Sequence, residues 1–179
     1  KLDWLNGLWI REDFDTAQLA ERLQDWMFNS DKLMEVLPHA QKRMNTLSDF
    51  APLVAFLAAG KLPLTVESFA EVKLDEEQLK QVLQFALWRL EALRSWQRDD
   101  LFNELKTLAA QLELKMKDCL APLFIAISGT TSSFSVMDSM VMLGPDMSRA
   151  RLRNALNACC GELGKKQLKK LEKAYAALS

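Results

Sequence analysis

The chain has 179 residues, of which 49% are hydrophobic and 26% are charged. This length and composition predict one or two globular domains with a packed core. The 23 basic and 24 acidic side chains leave a formal net charge of −1, which excludes binding to nucleic acid or membrane by bulk charge alone. No apolar run approaches the ~20 residues of a membrane-spanning helix, and residues 1–20 have no signal-peptide pattern. We therefore expect a protein without a membrane segment.

Hydrophobic spacing predicts helices through the first part of the chain. Asp15 and Thr16 form a capping pair, and Pro38 is expected to end one helix and begin the next. The predicted helices are, in order, 15–27, 31–37, a third that begins at Pro38 and turns Ala40, Met44 and Leu47 inward, and a fourth from Ser48 or Asp49 to Gly60. Residues 61–74 resemble a connection, and we place a domain boundary there.

Helical spacing continues in the second part. Asp75 is expected to cap a long helix with a wide apolar stripe, and Asp99 or Asp100 to open another. The remaining segments are 122–129, which fits a strand or a buried helix; 130–134, a polar loop; 135–143, a helix that Gly144-Pro145 stops; a basic helix capped by Ser148; and an amphipathic tail over 165–173. The predicted fold is all-α, with two consecutive helical bundle subdomains at residues 1–73 and 74–179.

No catalytic or metal-binding constellation is present in the sequence. His39 is the only histidine, and no orienting partner can be assigned to it for Ser/His or Cys/His catalysis. The segment 128–132 lacks the spaced glycines and lysine of a P-loop. Cys119, Cys159 and Cys160 have no zinc-ligand spacing, and neighbouring cysteines make a strained disulfide. We expect reduced cysteines in a cytoplasmic protein with no catalytic residue and no bound metal.

Charge is concentrated near the C-terminus. Residues 148–179 carry three arginines, five lysines and two glutamates, so this segment is basic while the remainder is acidic. A basic helix and tail can contact phosphate groups locally, and they can equally form a solvated helical face. Both interpretations stay open from the sequence.

Three ordered motifs resemble a known family. The opening KLDWLNGLWIR (1–11) is similar to the KLxWLNGxYIR segment that follows the catalytic half of bacterial glutamyl-tRNA synthetases. RMNTL (43–47) resembles the family's Arg-x-x-Thr-Leu element. LKMKDCLAPLFIAISG (114–129), followed by MVMLG (140–144) and RARLRNAL (149–156), is similar to its C-terminal anticodon-binding domain.

The resemblance implies the C-terminal part of a class I glutamate–tRNA ligase that charges tRNA(Glu) using ATP. The HIGH and KMSKS elements of the catalytic domain are not in this chain, so ATP and Mg²⁺ belong to the missing domain and no cofactor is expected here. The implied partner is the tRNA(Glu) anticodon arm, and the implied state is a monomer. Sequence-specific RNA recognition reads splayed loop bases by stacking and edge hydrogen bonds, which suits a near-neutral module.

The resemblance also assigns RNA-binding residues. Arg43 matches the family arginine that reads the third anticodon base, since arginine offers a bidentate fork to a base edge. Ser132, Ser133, Phe134 and Val136 match the segment that contacts the other anticodon bases; Phe134 fits either a stacking platform or a core residue. Phe124 replaces the family's arginine for the first anticodon base. Because phenylalanine cannot donate a hydrogen bond, we expect stacking there at most.

Two alternatives remain. One is a helical protein–protein interaction module that uses the Met-rich 137–147 face, although those methionines also fit core filling. The other is a synthetase paralogue that has lost anticodon reading. The five tryptophans are expected in the core rather than at an RNA surface: Trp4, Trp9, Trp26, Trp88 and Trp96.

Overall fold

A computed structural model describes residues 2–131 and 133–178, and all regular secondary structure in this part of the chain is helical. The expectation of an all-α fold is confirmed. The α-helices are α1 (Leu2–Glu12), α2 (Thr16–Leu23), α3 (Ser30–Ala40), α4 (Phe50–Ala58), α5 (Glu76–Ala92), α6 (Arg98–Gln111), α7 (Met116–Ser128), α8 (Val136–Cys160) and α9 (Lys165–Ala176). Short 3-10 turns occupy Gln41–Arg43, Leu47–Asp49 and Val66–Phe69, and a π-helical turn occupies Gln24–Phe28.

The chain divides into two compact units, an N-terminal unit (Lys1–Asn45) and a C-terminal unit (Thr46–Ser179). The C-terminal unit thus includes residues 46–73, which the sequence assigns to the first subdomain. The 73/74 division stays a prediction about how the chain is organised for function.

The N-terminal unit contains α1 to α3 and little buried surface. The predicted cap of α2 is confirmed: the Asp15 carboxylate accepts from the Gln18 amide at 2.9 Å. Val36 and Ala40 are the buried residues of this unit among its described side chains. The expectation of core tryptophans is wrong for three of the five, because this unit forms no interior that could receive them. They are Trp4, Trp9 and Trp26, which are 66%, 61% and 55% exposed.

The region around Pro38 differs from the prediction. Pro38 lies inside α3 instead of beginning a new helix. It lacks the N–H that would bond the carbonyl four residues earlier, and α3 ends two residues later. In place of the predicted third helix, the chain makes the Gln41–Arg43 turn and becomes extended at Met44 (φ −92°, ψ 136°). Leu47 is exposed as a result, not inward-facing.

The C-terminal unit has one main apolar core, built by α5, α6, α7 and α8 with contributions from the Val66–Phe69 turn and α9. The Asp75 cap of α5 is confirmed by a 2.8 Å hydrogen bond from the Gln78 amide. The α6 helix begins at Arg98, next to the predicted Asp99. The fully buried leucines and isoleucines at its centre are Leu83, Leu90, Leu101, Leu105, Leu108, Leu123, Ile125, Ile127 and Leu152.

The ambiguous segment 122–129 is a buried helix. It forms the second half of α7, where Pro122 is accommodated within the helix. Gly144 interrupts α8 with φ 76° and ψ 170°, so the Gly144-Pro145 break is confirmed. The second half of α8 resumes at Pro145, three residues before the predicted cap. Within the described residues, no helix has both the length and the apolarity needed to span a membrane.

Candidate nucleic-acid interface

Arg43 is the one predicted site residue in the N-terminal unit. It is the last residue of the Gln41–Arg43 turn, and its side chain is exposed. Lys42 precedes it and is exposed as well. The extended backbone at Met44 follows directly. The local fold therefore places two neighbouring cations at the point where a helical turn gives way to extended chain.

The other predicted residues belong to the C-terminal unit, in or beside a loop over 129–135 that joins α7 to α8. Gly129 begins this loop in the left-handed conformation, with φ 77°, which only glycine adopts without strain. Its amide donates to the Ile125 carbonyl at 2.9 Å. A Cβ added at Gly129 would lie 3.5 Å from the Leu62 side chain. The loop therefore leaves α7 by a fixed path, packed against the segment that follows α4.

The far end of the loop is held by its apolar side chains. Phe134 is fully buried, and its ring packs edge-on against Phe56 with the centroids 5.8 Å apart. Val136, the first residue of α8, is 1% exposed. Of the two interpretations left open for Phe134, the structure favours the core residue, because its ring faces are covered. Neither side chain presents a surface on which a base could stack.

The polar side chains of the loop differ in accessibility. Ser133 is half-buried. The Ser135 hydroxyl is buried and has no hydrogen-bond partner among the described residues. Ser132, also predicted to bind RNA, lies outside the described residues. Thr130 and Thr131 are exposed, so these two threonines, Ser133 and the adjoining backbone are the described polar groups of this segment at the protein surface.

Phe124 lies on α7, four residues before its last residue. Its ring is half-buried and packs against the main core. Its carbonyl accepts a 2.9 Å hydrogen bond from the Ser128 hydroxyl. No side-chain donor exists at this position, as the sequence indicates, so base-edge recognition by Phe124 is excluded chemically.

Two of the three arginines of α8 are engaged at the C-terminal end of α5. Arg149 donates from Nε and Nη2 to the Leu90 carbonyl, at 3.1 and 2.7 Å, and lies over the Trp96 ring with its guanidinium 5.3 Å from the centroid. Arg153 pairs with Glu91. These contacts make the arginines ties between helices instead of the open phosphate-binding row that the sequence permits.

The third arginine, Arg151, is fully buried. Its guanidinium donates to the carbonyls of Phe56, Ala59 and Gly60 at the end of α4, and to that of Ile127 near the end of α7. Burial lowers the pKa of Arg151. Three residues further along α8, the Asn154 amide donates to the Leu62 carbonyl at 2.8 Å.

Sequence reasoning missed the role of Arg151, although a signal for burial exists. Arg151 is three residues after Ser148 and four residues before Ala155, and both of these are fully buried. This spacing places all three on one face of a helix. A charged residue on a buried face needs hydrogen-bond partners, and two helix ends supply them here.

The lysines of α9, together with the exposed Arg153, form the exposed basic surface of the C-terminal segment. All five lysines are exposed, and Lys170 pairs with Glu77 at 2.9 Å. They are Lys165, Lys166, Lys169, Lys170 and Lys173. The predicted amphipathic tail is confirmed as a helix, held to the core by Leu171, which is 2% exposed.

The thiols of the chain are free, and no set of three potential ligands gathers around a metal position within the described residues. Burial raises the pKa of Cys119 to about 11. The Sγ atoms of Cys159 and Cys160 are 3.1 Å apart; their hydrogen bond raises the pKa of Cys159 and lowers that of Cys160. We assign no metal or nucleotide chemistry to these residues.

This chain is similar to known proteins along its whole length. A family model described as an anticodon binding domain matches residues 18–156. Glutamate–tRNA ligases from Cellvibrio japonicus and Saccharophagus degradans are 63% and 62% identical over all 179 residues, which is 35% of the length of each relative. The chain thus spans about a third of these curated relatives and aligns with their C-terminal part.

A solved structure agrees on the fold. The crystal structure of a glutamate tRNA ligase from Elizabethkingia meningosepticum, in complex with its amino acid, matches 73% of this chain and 26% of that chain with a TM-score of 0.65. The sequence identity is 16%, so this likeness concerns the fold alone. The family match covers most of the chain, and the expected resemblance is confirmed. This chain belongs to the anticodon binding domain family.

Proposed function

We propose that the chain recognises the anticodon arm of tRNA(Glu), as the C-terminal part of a glutamate–tRNA ligase. The observation that carries the proposal is the anticodon binding domain match over residues 18–156, together with relatives of that activity along the whole chain. In the complete enzyme, the preceding catalytic part would activate glutamate with ATP and Mg²⁺ and charge the tRNA. We further propose a cytoplasmic monomer.

Arg43 is the proposed reader of the third anticodon base. Arg43 is an exposed residue, and a guanidinium carries five N–H donors in a planar fork, which matches two acceptors on one base edge. Lys42 is exposed beside it but is a compact point charge suited to phosphate. Alanine at either position removes one positive charge. Comparing Arg43→Ala with Lys42→Ala therefore distinguishes loss of base recognition from loss of charge.

The 129–135 loop is proposed to contact the remaining anticodon bases through polar groups. Phe134 and Val136 are buried, so their part is to hold the loop. Ser133 is half-buried and both donates and accepts hydrogen bonds. With Phe124 unable to donate, the first anticodon base would be read by Ser133 or by the backbone of this segment.

The test is binding of a labelled tRNA(Glu) anticodon stem-loop to the 179-residue chain, followed by fluorescence anisotropy. Arg43→Ala should lose about 1–3 kcal/mol of binding free energy, roughly a 5- to 150-fold rise in Kd, because a bidentate base contact is lost. Lys42→Ala should raise Kd less, and its effect should shrink as salt is added. A stem-loop changed only at the third anticodon base should bind wild type and Arg43→Ala equally well.

Other outcomes separate the alternatives. Arg43→Ala and Lys42→Ala could lose the same affinity for the unaltered stem-loop and for the one changed at the third anticodon base. That result would mean that Arg43 attracts RNA by charge and does not read the base. Binding of wild type that ignores the anticodon would favour a paralogue that has lost this function. The protein–protein module gains no support from its proposed face, because Met137 and Met140 are buried in the core.

A further inference from the structure

Arg151 joins three separate segments of the C-terminal unit. It lies on α8, and its partners lie 91 to 95 residues away at the end of α4 and 24 residues away near the end of α7. Its described hydrogen-bond partners are all backbone carbonyls, with Nε donating to Gly60 at 3.1 Å. A single side chain thus fixes two helix ends against a third helix.

The charge of Arg151 suits this place. The last carbonyls of a helix have no partner within the helix and carry partial negative charge. Here the ends of α4 and α7 both direct such carbonyls to one guanidinium. The planar fork can reach several acceptors in different directions at once, whereas a lysine ammonium offers its donors from one nitrogen.

Both anchored segments border the 129–135 loop. Ile127 is two residues before Gly129, where the loop begins. On the other side, Phe56 of α4 packs against Phe134 of the loop, and Leu62 lies against Gly129. Asn154 holds the Leu62 carbonyl from the same face of α8. Arg151 and Asn154 therefore connect α8 both to the segment 56–62, which packs against the loop, and to the end of α7, where the loop begins.

We propose that Arg151, assisted by Asn154, is a positioning residue for anticodon recognition: it holds the 129–135 loop in the geometry in which the loop contacts bases, without touching RNA itself. The role rests on the anticodon-reading function proposed above. Base recognition by hydrogen bonds depends on donors and acceptors being held to within a fraction of an ångström. Loosening the frame should thus reduce discrimination between anticodons before it reduces attraction to RNA.

Arg151→Lys in the 179-residue chain tests this, with Arg153→Lys as the matched control on the same helix. Two measurements are made on each variant. The first is amide hydrogen exchange. The second is the Kd for an anticodon stem-loop altered at the first two anticodon bases, divided by the Kd for the unaltered tRNA(Glu) stem-loop. Arg151→Lys should speed exchange about 10-fold at residues 57–62 and 127–135 and reduce the Kd ratio about 10-fold. Affinity for the altered RNA should stay unchanged, and Arg153→Lys should match wild type.

Two results would contradict the positioning role. Unchanged exchange, or an unchanged Kd ratio in a variant whose loop exchanges faster, would overturn the proposal. If Arg151→Lys does not fold, Asn154→Ala decides by the same two measurements, because it removes one tie to Leu62 and leaves the buried guanidinium bonded. If wild type binds both stem-loops equally well, the proposed anticodon-reading function is wrong, and the positioning role is wrong with it. Faster exchange in Arg151→Lys would in that case show only that Arg151 holds the loop in place.

Discussion

The two units of this chain contain similar helix-capping sequences but bury very different amounts of apolar surface. Each has a capping box of the same residue types, Asp15 with Gln18 and Asp75 with Gln78. In the C-terminal unit, the capped helix α5 leads into a core of fully buried leucines. In the N-terminal unit, α2 has no buried residue and three tryptophans are largely exposed.

This difference separates what neighbours along the chain can stabilise from what requires packing. A cap satisfies an amide three residues away and needs nothing else. A core needs several helices whose apolar faces meet, and packing of this kind provides most helix stability in proteins. We therefore expect the global stability of the chain to be set by the C-terminal unit.

The largest expected contrast comes from leucine truncations in the two units. Leu90→Ala should lower the free energy of unfolding by about 2–5 kcal/mol, because Leu90 is fully buried and its removal leaves a cavity. Leu5→Ala should change it by less than about 0.5 kcal/mol, since Leu5 is 48% exposed. Urea unfolding followed by circular dichroism measures both. Similar losses for the two variants would contradict the comparison.

A smaller effect should come from Cys119 in the C-terminal interior. Its folded-state pKa of about 11 lies above the ordinary thiol value, so folding favours the protonated thiol. The resulting stability is complete below the unfolded pKa and is lost as pH rises through the folded one. Between pH 8 and 10, wild type should lose about 1–2 kcal/mol more than Cys119→Ala. Urea unfolding under reducing conditions measures this difference. Equal losses of stability in wild type and Cys119→Ala would show that water reaches the thiol more easily than its burial indicates.

Removing the two matched caps should separate global from local stability. Asp75→Ala should lower the free energy of unfolding by about 1 kcal/mol, because α5 belongs to the core. Asp15→Ala should leave the main unfolding transition in place and speed amide exchange only within α2. A shift of the main transition by Asp15→Ala would mean that the N-terminal unit unfolds together with the rest.

The smallest expected effect concerns phosphate contacts. It tests which of the two units supplies the lysines that contact RNA phosphates. Replacing Lys166 and Lys169 of α9 by glutamine should reduce the slope of log Kd against log salt for the anticodon stem-loop by up to about 1.4, from two lost contacts to single-stranded phosphates. Glu172→Gln, on the same helix, is the control and should not reduce the slope. An unchanged slope in the lysine variant would leave Lys42 of the N-terminal unit as the better source of phosphate contacts.

Several elements of this molecule were predictable because their causes are local. The caps at Asp15 and Asp75 and the break at Gly144 each depend on a few adjacent residues and were found from the sequence. Pro38 was misjudged. A proline usually marks a helix boundary, but here it lies inside α3, which continues for two residues beyond it to Ala40.

The candidate site was predictable in part, through motif resemblance rather than through chemistry. RMNTL led to Arg43, which is exposed as a base-reading side chain must be. The loop residues were found in the same way, but the resemblance did not separate Ser133, which stays accessible, from Phe134, which is buried. Nor did it distinguish Arg151 from the arginines on either side of it.

By itself, the sequence determined the helical class, the capped starts of α2 and α5 and the family, since these rest on periodicity, caps and motifs read over a few residues. Only the tertiary structure decided which side chains became interior. Arg151 is buried because the ends of α4 and α7 bring their carbonyls to it from far along the chain. Trp4 and Trp9 stay exposed because the described helices of the N-terminal unit do not cover them. Burial depends on which distant surfaces meet, and no short stretch of sequence records that.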